Sequence, residues 1–430
     1  MLTKDLIECN RDYIIKYFRS GEKERKDFRL GMELEHFVLH KDTYRAVSYY
    51  EKEGIEDILK ELISLSWEGI YEGENLIGLK GKNANITLEP GGQLELSVFP
   101  ELTVTGIELT YQDFLNDIKP ILKDRDMCLL AMGYQPVSQI KDIPLLPKER
   151  YQYMYQYFKQ TGKYAHNMMK GTASLQLNLD YRNEKDFIKK MSVAYYLSPL
   201  VYTIFNNSPV FEGSIYNRKG SIRSLIWDNC DFKRCNLDRL IFADDFAYDS
   251  YADFILNMPP IIIKRNDCLL YTANKITNEI YSDYQLHRDE VEHLLSMVFP
   301  DVRAKKFIEL RAADALPYPY NLAYIVFWKG LLYNKRNLEL LYNEFKTINY
   351  DDFLDIKEKI RNHGLNVEIY GETLLNKFTG LLELVVNGLG IEEREYLFPL
   401  YKLLERKVTI KELLFKDGLD SKLDLSNCIL

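Results

Sequence analysis

Four stretches of this 430-residue chain carry carboxylates and amides two residues apart, the spacing that places side chains on one face of a β-strand. Glu33 and Glu35 share a face in Phe28-Arg-Leu-Gly-Met-Glu-Leu-Glu-His-Phe-Val-Leu39, with Met32, Leu34 and His36 on the other. Gln93, Glu95 and Ser97 do the same in Asn85-Ile-Thr-Leu-Glu-Pro-Gly-Gly-Gln-Leu-Glu-Leu-Ser97, opposite Leu94 and Leu96. Pro90 and the two glycines allow a tight bend, so Glu89 can converge with Glu95 without keeping strand parity. Gln176, Asn178 and Asp180 alternate with leucines in Ala173-Ser-Leu-Gln-Leu-Asn-Leu-Asp180, and Glu309 and Arg311 alternate with Ile308 and Leu310. Taken singly, each is the ordinary wet face of an antiparallel sheet. Together they would gather up to five glutamates, and charges so close repel unless a cation lies between them. Carboxylates with an amide oxygen are hard ligands suited to Mg²⁺, with Mn²⁺ as the other candidate, and the lack of a His/Cys cluster argues against zinc.

Carboxylate-held magnesium with arginines nearby suits nucleoside triphosphate chemistry. The chain has no Gly-x-x-x-x-Gly-Lys-Ser/Thr loop, no Gly-x-Gly-x-x-Gly after a strand and no kinase signature set, so metal and arginine would have to bind the phosphates. In Ser221-Ile-Arg-Ser-Leu-Ile-Trp227, Arg223 and Trp227 stand four apart. That pair is either surface stacking or a clamp for a small carboxylate beside an aromatic wall.

The elements that must hold these residues follow from periodicity. Helical rhythm marks 4–20, 51–66 and 101–128, the last with an interruption expected at Pro120. A short strand is expected at 129–134, a tyrosine-rich helix from 151 to 158 and a buried helix over 186–205 ending at Asn206-Asn-Ser-Pro209. Residues 251–272, around Met258-Pro-Pro260, read as a strand pair near a sheet edge, and 302–314 as one more strand. From about 318 the pattern is helical: 318–333, 336–347, 351–363, 370–387 and 391–406.

Apolar residues at 46 % and aromatics at 13 % are ample for a packed core, and no low-complexity tract offers a linker. A net charge of −8 argues against a nucleic-acid partner. The six cysteines are dispersed without a Cys-x-x-Cys pair, no apolar run approaches a membrane span, and the first residues carry no leader pattern; a cytoplasmic protein is expected.

Ile86-Thr-Leu-Glu-Pro-Gly-Gly-Gln-Leu-Glu-Leu-Ser97, taken with Gly31-Met-Glu-Leu-Glu-His36, Ser174-Leu-Gln-Leu-Asn-Leu-Asp180, Ser221-Ile-Arg-Ser-Leu-Ile-Trp227 and Phe307-Ile-Glu-Leu-Arg-Ala-Ala-Asp314, resembles glutamate–cysteine ligase of the plant and proteobacterial type. The motifs run in that family's order from about residue 28 to 335. The resemblance implies an α+β fold related to glutamine synthetase, a funnel over a curved antiparallel sheet backed by helices. It implies a catalytic domain over 1–335 and a helical region over 336–430 on the same body, as monomer or homodimer. The implied activity is ADP-forming ligation of the γ-carboxylate of L-glutamate to the amine of L-cysteine through γ-glutamyl phosphate, the first step of glutathione synthesis. By motif match Glu33, Glu35, Glu89, Glu95 and Glu309 would ligate magnesium, with Gln176 a ligand or near neighbour. Arg311 and Glu95 would serve catalysis, Arg311 facing the transferred phosphoryl group, and Arg223, Trp227, Gln176 and Asn178 would hold substrate. Ile107 and Tyr271 stand where the plant enzymes have regulatory cysteines, so that form of redox control is not implied. The segment 264–285 is short for the family and could border the acceptor pocket, which leaves a ligase for a different amine, and a non-catalytic relative, as the alternatives.

Overall fold

The computed structural model describes residues 3–265, 268–369, 371–415 and 424–430. Nine strands form one antiparallel sheet: β1 (Leu30–His40), β2 (Glu68–Glu72), β3 (Asn75–Lys80), β4 (Ala84–Leu88), β5 (Leu94–Glu101), β6 (Met127–Leu130), β7 (Ser174–Leu179), β8 (Val302–Ala304) and β9 (Ile308–Asp314). Their order is β8-β9-β7-β1-β5-β4-β3-β2, and β6 pairs with the far end of β1. Strands distant in sequence are therefore neighbours at the centre. Glu35 stands opposite Glu95, Glu33 opposite both Ser97 and Gln176, and Glu309 opposite both Asn178 and Arg303.

Period-two alternation then sorts the faces. Met32, Leu34, Leu94, Leu96, Leu175, Leu177, Leu179, Ile308 and Leu310 are essentially fully buried on one side, and the polar set lies on the other. Among helices of seven residues or more, α1 (Thr3–Arg19), α2 (Ile55–Ile63), α3 (Val104–Lys123), α4 (Glu149–Phe158), α5 (Ala165–Gly171), α6 (Glu184–Ile204) and α7 (Ile222–Asp228) are interspersed among the strands. Helices α8 (Tyr248–Asn257), α9 (Arg288–Leu295), α10 (Tyr320–Leu332), α11 (Lys335–Phe345), α12 (Tyr350–His363), α13 (Leu374–Gly388) and α14 (Phe398–Arg406) complete the set. The apolar sheet face is covered by α3 over β5 and β6 and by α6 over β8 and β9. Helices α11 and α12 pack on α6, and α13 packs on α10, so one continuous core runs from Ile14 to Cys428. A large antiparallel sheet with a polar face and helices behind it is the α+β arrangement expected from the sequence.

Four expectations are corrected. Helix α3 runs unbroken through Pro120, because the proline sits in its last turn and residue 116, whose carbonyl loses its partner, is exposed to water. Residues 248–257 form a helix, and only Ile262–Arg265 and Cys268–Tyr271 form a hairpin, separate from the main sheet; residues 266–267 lie outside the described residues. The run from Phe254 to Ile263 is nearly all apolar, and such a run does not separate a buried strand from a buried helix by periodicity. Residues 302–314 are two strands folded back at Lys305–Phe307, not one. The helix expected over 370–387 begins at Leu374, with residue 370 outside the described residues.

Candidate active site

The polar face of the sheet floors a cavity of ≈ 320 Å³. Glu33 and Glu35 reach it from β1, Glu95 from β5, Gln176 from β7 and Arg311 from β9. Glu89 enters from the turn between β4 and β5. That turn is closed by the Gly92 N–H on Glu89 O and the Glu89 N–H on Gln93 O, both 2.8 Å, with Gly92 at φ +86°, a conformation that suits glycine. The turn thus lets Glu89 point into the same space as Glu95. Gln93 is turned to structural work: its Nε2 donates to Thr172 O (2.8 Å) and Met169 O (3.3 Å), tying the turn to the end of α5.

The carboxylates are oriented by short donors. The Ser174 N–H and hydroxyl donate to the two oxygens of Glu35 at 2.8 and 3.0 Å, and Gln176 Nε2 adds a third bond at 3.2 Å. Thr87 and Ser97 hydroxyls both donate to Glu95 Oε1, at 2.9 and 3.1 Å, and Asn178 Nδ2 donates to Glu33 Oε1 at 2.8 Å. These bonds do not neutralise the cluster. Burial, and then the charge of Glu89, push the Glu35 carboxyl up to about 7. Burial, and then Glu33, Glu89 and Glu35, push Glu95 well above the usual carboxylate range.

Across the cavity stands a cationic wall. Arg223, on the first turn of α7 behind the Ser221 cap, is buried, and its Nε and one terminal nitrogen have no hydrogen-bond partner among the described residues. Its guanidinium lies 5.6 Å from the Trp227 ring, and that of Arg311 lies 5.7 Å from the same ring. Arg311 also donates to Gln176 Oε1. Burial, and then the neighbouring Arg303, push the Arg311 guanidinium down, which marks a position suited to an added anion.

Glu309 does not line the cavity, and neither does Asn178. Glu309 is fully buried behind the cavity wall and meets three cations: Arg303 Nε at 2.5 Å, Lys305 Nζ at 2.7 Å and Arg311 at 3.3 Å. Burial alone would raise its pKa, but Arg303, Lys305 and Arg311 overcome that and hold it well below the usual range. Its geometry is that of a counter-ion fixing two arginines.

Sequence reasoning missed Arg303, Lys148, Arg150 and Ser174, all of which line the cavity. Lys148 Nζ donates to Leu88 O (2.7 Å) at the edge of the acidic turn, and Arg150 to Ser296 O (3.1 Å). Arg303 carried a usable signal, since reading a hairpin at Lys305–Phe307 would have placed it opposite Glu309.

Among the described residues no three acidic, imidazole or thiol side chains close on one point as a finished metal cage. Mg²⁺ seldom uses one; it commonly takes one or two carboxylates and completes its shell with water and substrate phosphate. Buried, mutually repelling carboxylates facing unpaired guanidinium nitrogens fit that mode of binding.

The fold class is shared with a crystal structure of glutamate–cysteine ligase (gshA) from Francisella tularensis in complex with AMP, at a TM-score of 0.57 over 93 % of this chain and 86 % of that one, with 12 % identity. Residues 29–364 match the glutamate-cysteine ligase family 2 (GCS2), and the chain belongs to that family of ligases. It is 31 % identical to the chloroplastic glutamate–cysteine ligase of Nicotiana tabacum, over 94 % of this chain and 79 % of the relative. It is 32 % identical to chloroplastic glutamate–cysteine ligase A of Oryza sativa subsp. japonica, over 90 % and 79 % respectively. Among the described residues no helix is long and apolar enough to cross a membrane.

Proposed function

We propose that this chain joins the γ-carboxylate of L-glutamate to the amine of L-cysteine at the expense of ATP, the first step of glutathione synthesis. The observation that carries this is the facing of buried carboxylates by a wall of arginines across one cavity, in a chain of this family. A carboxylate is a poor acylating agent. In the first step a γ-carboxylate oxygen attacks the γ-phosphorus of ATP, ADP leaves, and γ-glutamyl phosphate forms. In the second, the amine forms the C–N bond, the C–O bond to phosphate breaks, phosphate leaves with the electron pair, and the amine gives up a proton.

Arg223 supports the glutamate end of this reading, since its unpartnered buried nitrogens call for a carboxylate. Arg311, supported by Glu309 and Gln176, would meet the charge spread over the transferring phosphoryl group. Glu33, Glu35, Glu89 and Glu95 would hold Mg²⁺, which when bound neutralises phosphate charge and draws the nucleotide to this face. Glu309, expected as a further ligand, we assign instead to holding Arg303 and Arg311. The walls formed by Tyr151, Met154, Met168, Met169 and Phe299 keep the acyl phosphate from water. The dispersed free thiols suit a reducing compartment, which we take to be the cytoplasm.

The test is ADP release from Mg-ATP and L-glutamate with and without L-cysteine, with mass spectrometry of the product. Cysteine-dependent release yielding γ-glutamylcysteine is expected; release that depends on a different amine, or no release at all, overturns the assignment.

A further inference from the structure

Behind the Trp227 side of the reaction cavity lies a second cavity, of ≈ 470 Å³. Trp227 and Phe299 line both, their rings 6.4 Å apart, and form the partition between them. The partition keeps the reacting groups out, so this space calls for an occupant of its own. Among the described residues four carboxylates, Asp228, Asp238, Asp301 and Glu358, line it against three cations. Asp228 is already met, by Lys357 at 2.8 Å and by Arg361. Asp238 is not: it is 6 % exposed, its side chain has no hydrogen bond among the described residues, and Lys357 Nζ reaches it only at 4.0 Å. Burial, offset in part by Lys357, raises its carboxyl to about 6, in keeping with a carboxylate that lacks its cation. Asp301 accepts from Tyr202 on Oδ1 at 2.6 Å, which leaves its other oxygen free of hydrogen bonds among the described residues. The rest of the lining includes aromatic surface: Phe232, 76 % exposed, joins Trp227 and Phe299 at this cavity.

Carboxylates short of a cation, set beside aromatic rings, are the surroundings of an organic cation, because a ring face attracts positive charge and still offers apolar surface. The same carboxylates repel a phosphate, and a bare metal ion would leave the rings unused. Two donors narrow the class further. Trp227 Nε1 and Arg361 Nε are buried without a partner among the described residues, and the charge of Arg361 is already met by Asp228, so both call for a neutral oxygen. We propose that the second cavity is an effector site for a small organic ammonium ion bearing a neutral oxygen, with its ammonium group at Asp238 and Asp301 and its oxygen at Trp227 and Arg361. The partition carries the effect to the reaction cavity. The guanidinium groups of Arg223 and Arg311 lie 5.6 and 5.7 Å from the Trp227 ring, and the carbonyl of Asp301 accepts from the backbone N–H of Arg311 at 2.9 Å. A positive charge bound behind the ring raises the potential of that arginine wall, which then draws an anionic substrate more strongly. This consequence rests on the ligase reading, in which Arg223 receives a carboxylate of L-glutamate; the site itself does not.

Isothermal titration calorimetry of the full chain with ethanolammonium chloride, against sodium chloride at the same ionic strength, tests the site without any turnover. The wild type should bind saturably. Asp238→Asn, which removes the charge, and Leu354→Trp, which narrows the cavity from a lining position 37 % exposed, should each weaken binding about tenfold or more. The coupling is read from ADP release with L-glutamate varied at saturating Mg-ATP and L-cysteine. Ethanolammonium should lower KM for glutamate about threefold or more in the wild type and in neither variant, and without it both variants should keep wild-type activity within about twofold. No saturable binding, or binding that both variants keep, overturns the site. Binding that the variants lose while KM for glutamate stays the same overturns the effector role. A wild type that releases no ADP with cysteine overturns the ligase reading, and the calorimetry still decides the site.

Discussion

Titrating the metal-free protein from about pH 5 to about pH 8 forces onto Glu35 a charge that the fold resists. Its pKa in the folded chain is raised from the ordinary 4.5 to about 7, by burial first and Glu89 second, so the folded state favours the protonated carboxyl. The stability tied to that proton is complete below 4.5 and is lost as pH rises through 7. Linkage over this interval costs roughly 1 kcal/mol at about pH 5 and roughly 3 kcal/mol at about pH 8. With an unfolding entropy of about 2 cal/mol/K per residue, the larger figure corresponds to roughly 3 °C in the midpoint of a chain this long. His36 acts in the opposite sense. Burial lowers its pKa to about 4, so its contribution is lost as pH falls, and total stability mixes the two effects. The diagnostic quantity is therefore the increment produced by Mg²⁺ at each pH, measured by scanning calorimetry after removal of metal with a chelator. A cation among the carboxylates relieves the repulsion only where they are ionised, so the increment should be larger at about pH 8 by some 2 °C or more. An increment equal at both pH values, or absent at the higher one, would refute the claim that these carboxylates form a cation site.

The remaining expectations concern single residues. Glu95→Gln keeps the oxygen that accepts from Thr87 and Ser97 and removes a charge that burial, Glu33, Glu89 and Glu35 all oppose; it should melt higher than wild type at about pH 8 without metal, by calorimetry, while ADP release is lost. Arg311→Lys cannot keep both the Gln176 and Glu309 contacts, and kcat should fall about 10²- to 10³-fold with KM for glutamate little changed in steady-state assays. Lys411, buried near the C-terminal end, donates to Tyr216 O (2.6 Å) and Arg218 O (2.7 Å) in the chain leading to α7. Lys411→Met should cost about 2–3 kcal/mol in urea unfolding, because two carbonyls lose their donor.

The face of each strand was legible because period two leaves no freedom: once Leu34 and Leu96 are buried, Glu35 and Glu95 must emerge on the other side. That β1 and β5 would pair so that those two stand opposite each other was not legible from alternation, which is silent about partners; the shared sheet was inferred only from the accumulation of acidic faces. The misread segments share one cause. At 251–263 the apolar run carries no period, and at 302–314 the two lysines at the hairpin tip left the alternation nearly intact on both sides.

The cations are a different case, and they explain why the acidic half of the site was visible and the basic half mostly hidden. Lys148 and Arg150 reach the cavity from the start of a helix, where neighbours along the chain say little about what lies across a cavity, whereas Arg223 and Trp227, on another helix, carry a pairing that the sequence does offer as a clamp. Carboxylates that must share a metal are best placed on adjacent strands, whose spacing is fixed, and so they leave a periodic trace. Groups that meet a substrate from above the sheet come from connecting segments, whose positions are set by packing rather than by period. Lys411 shows how far that packing extends: a residue in a tail that carried no chemical pattern holds the backbone that delivers Arg223.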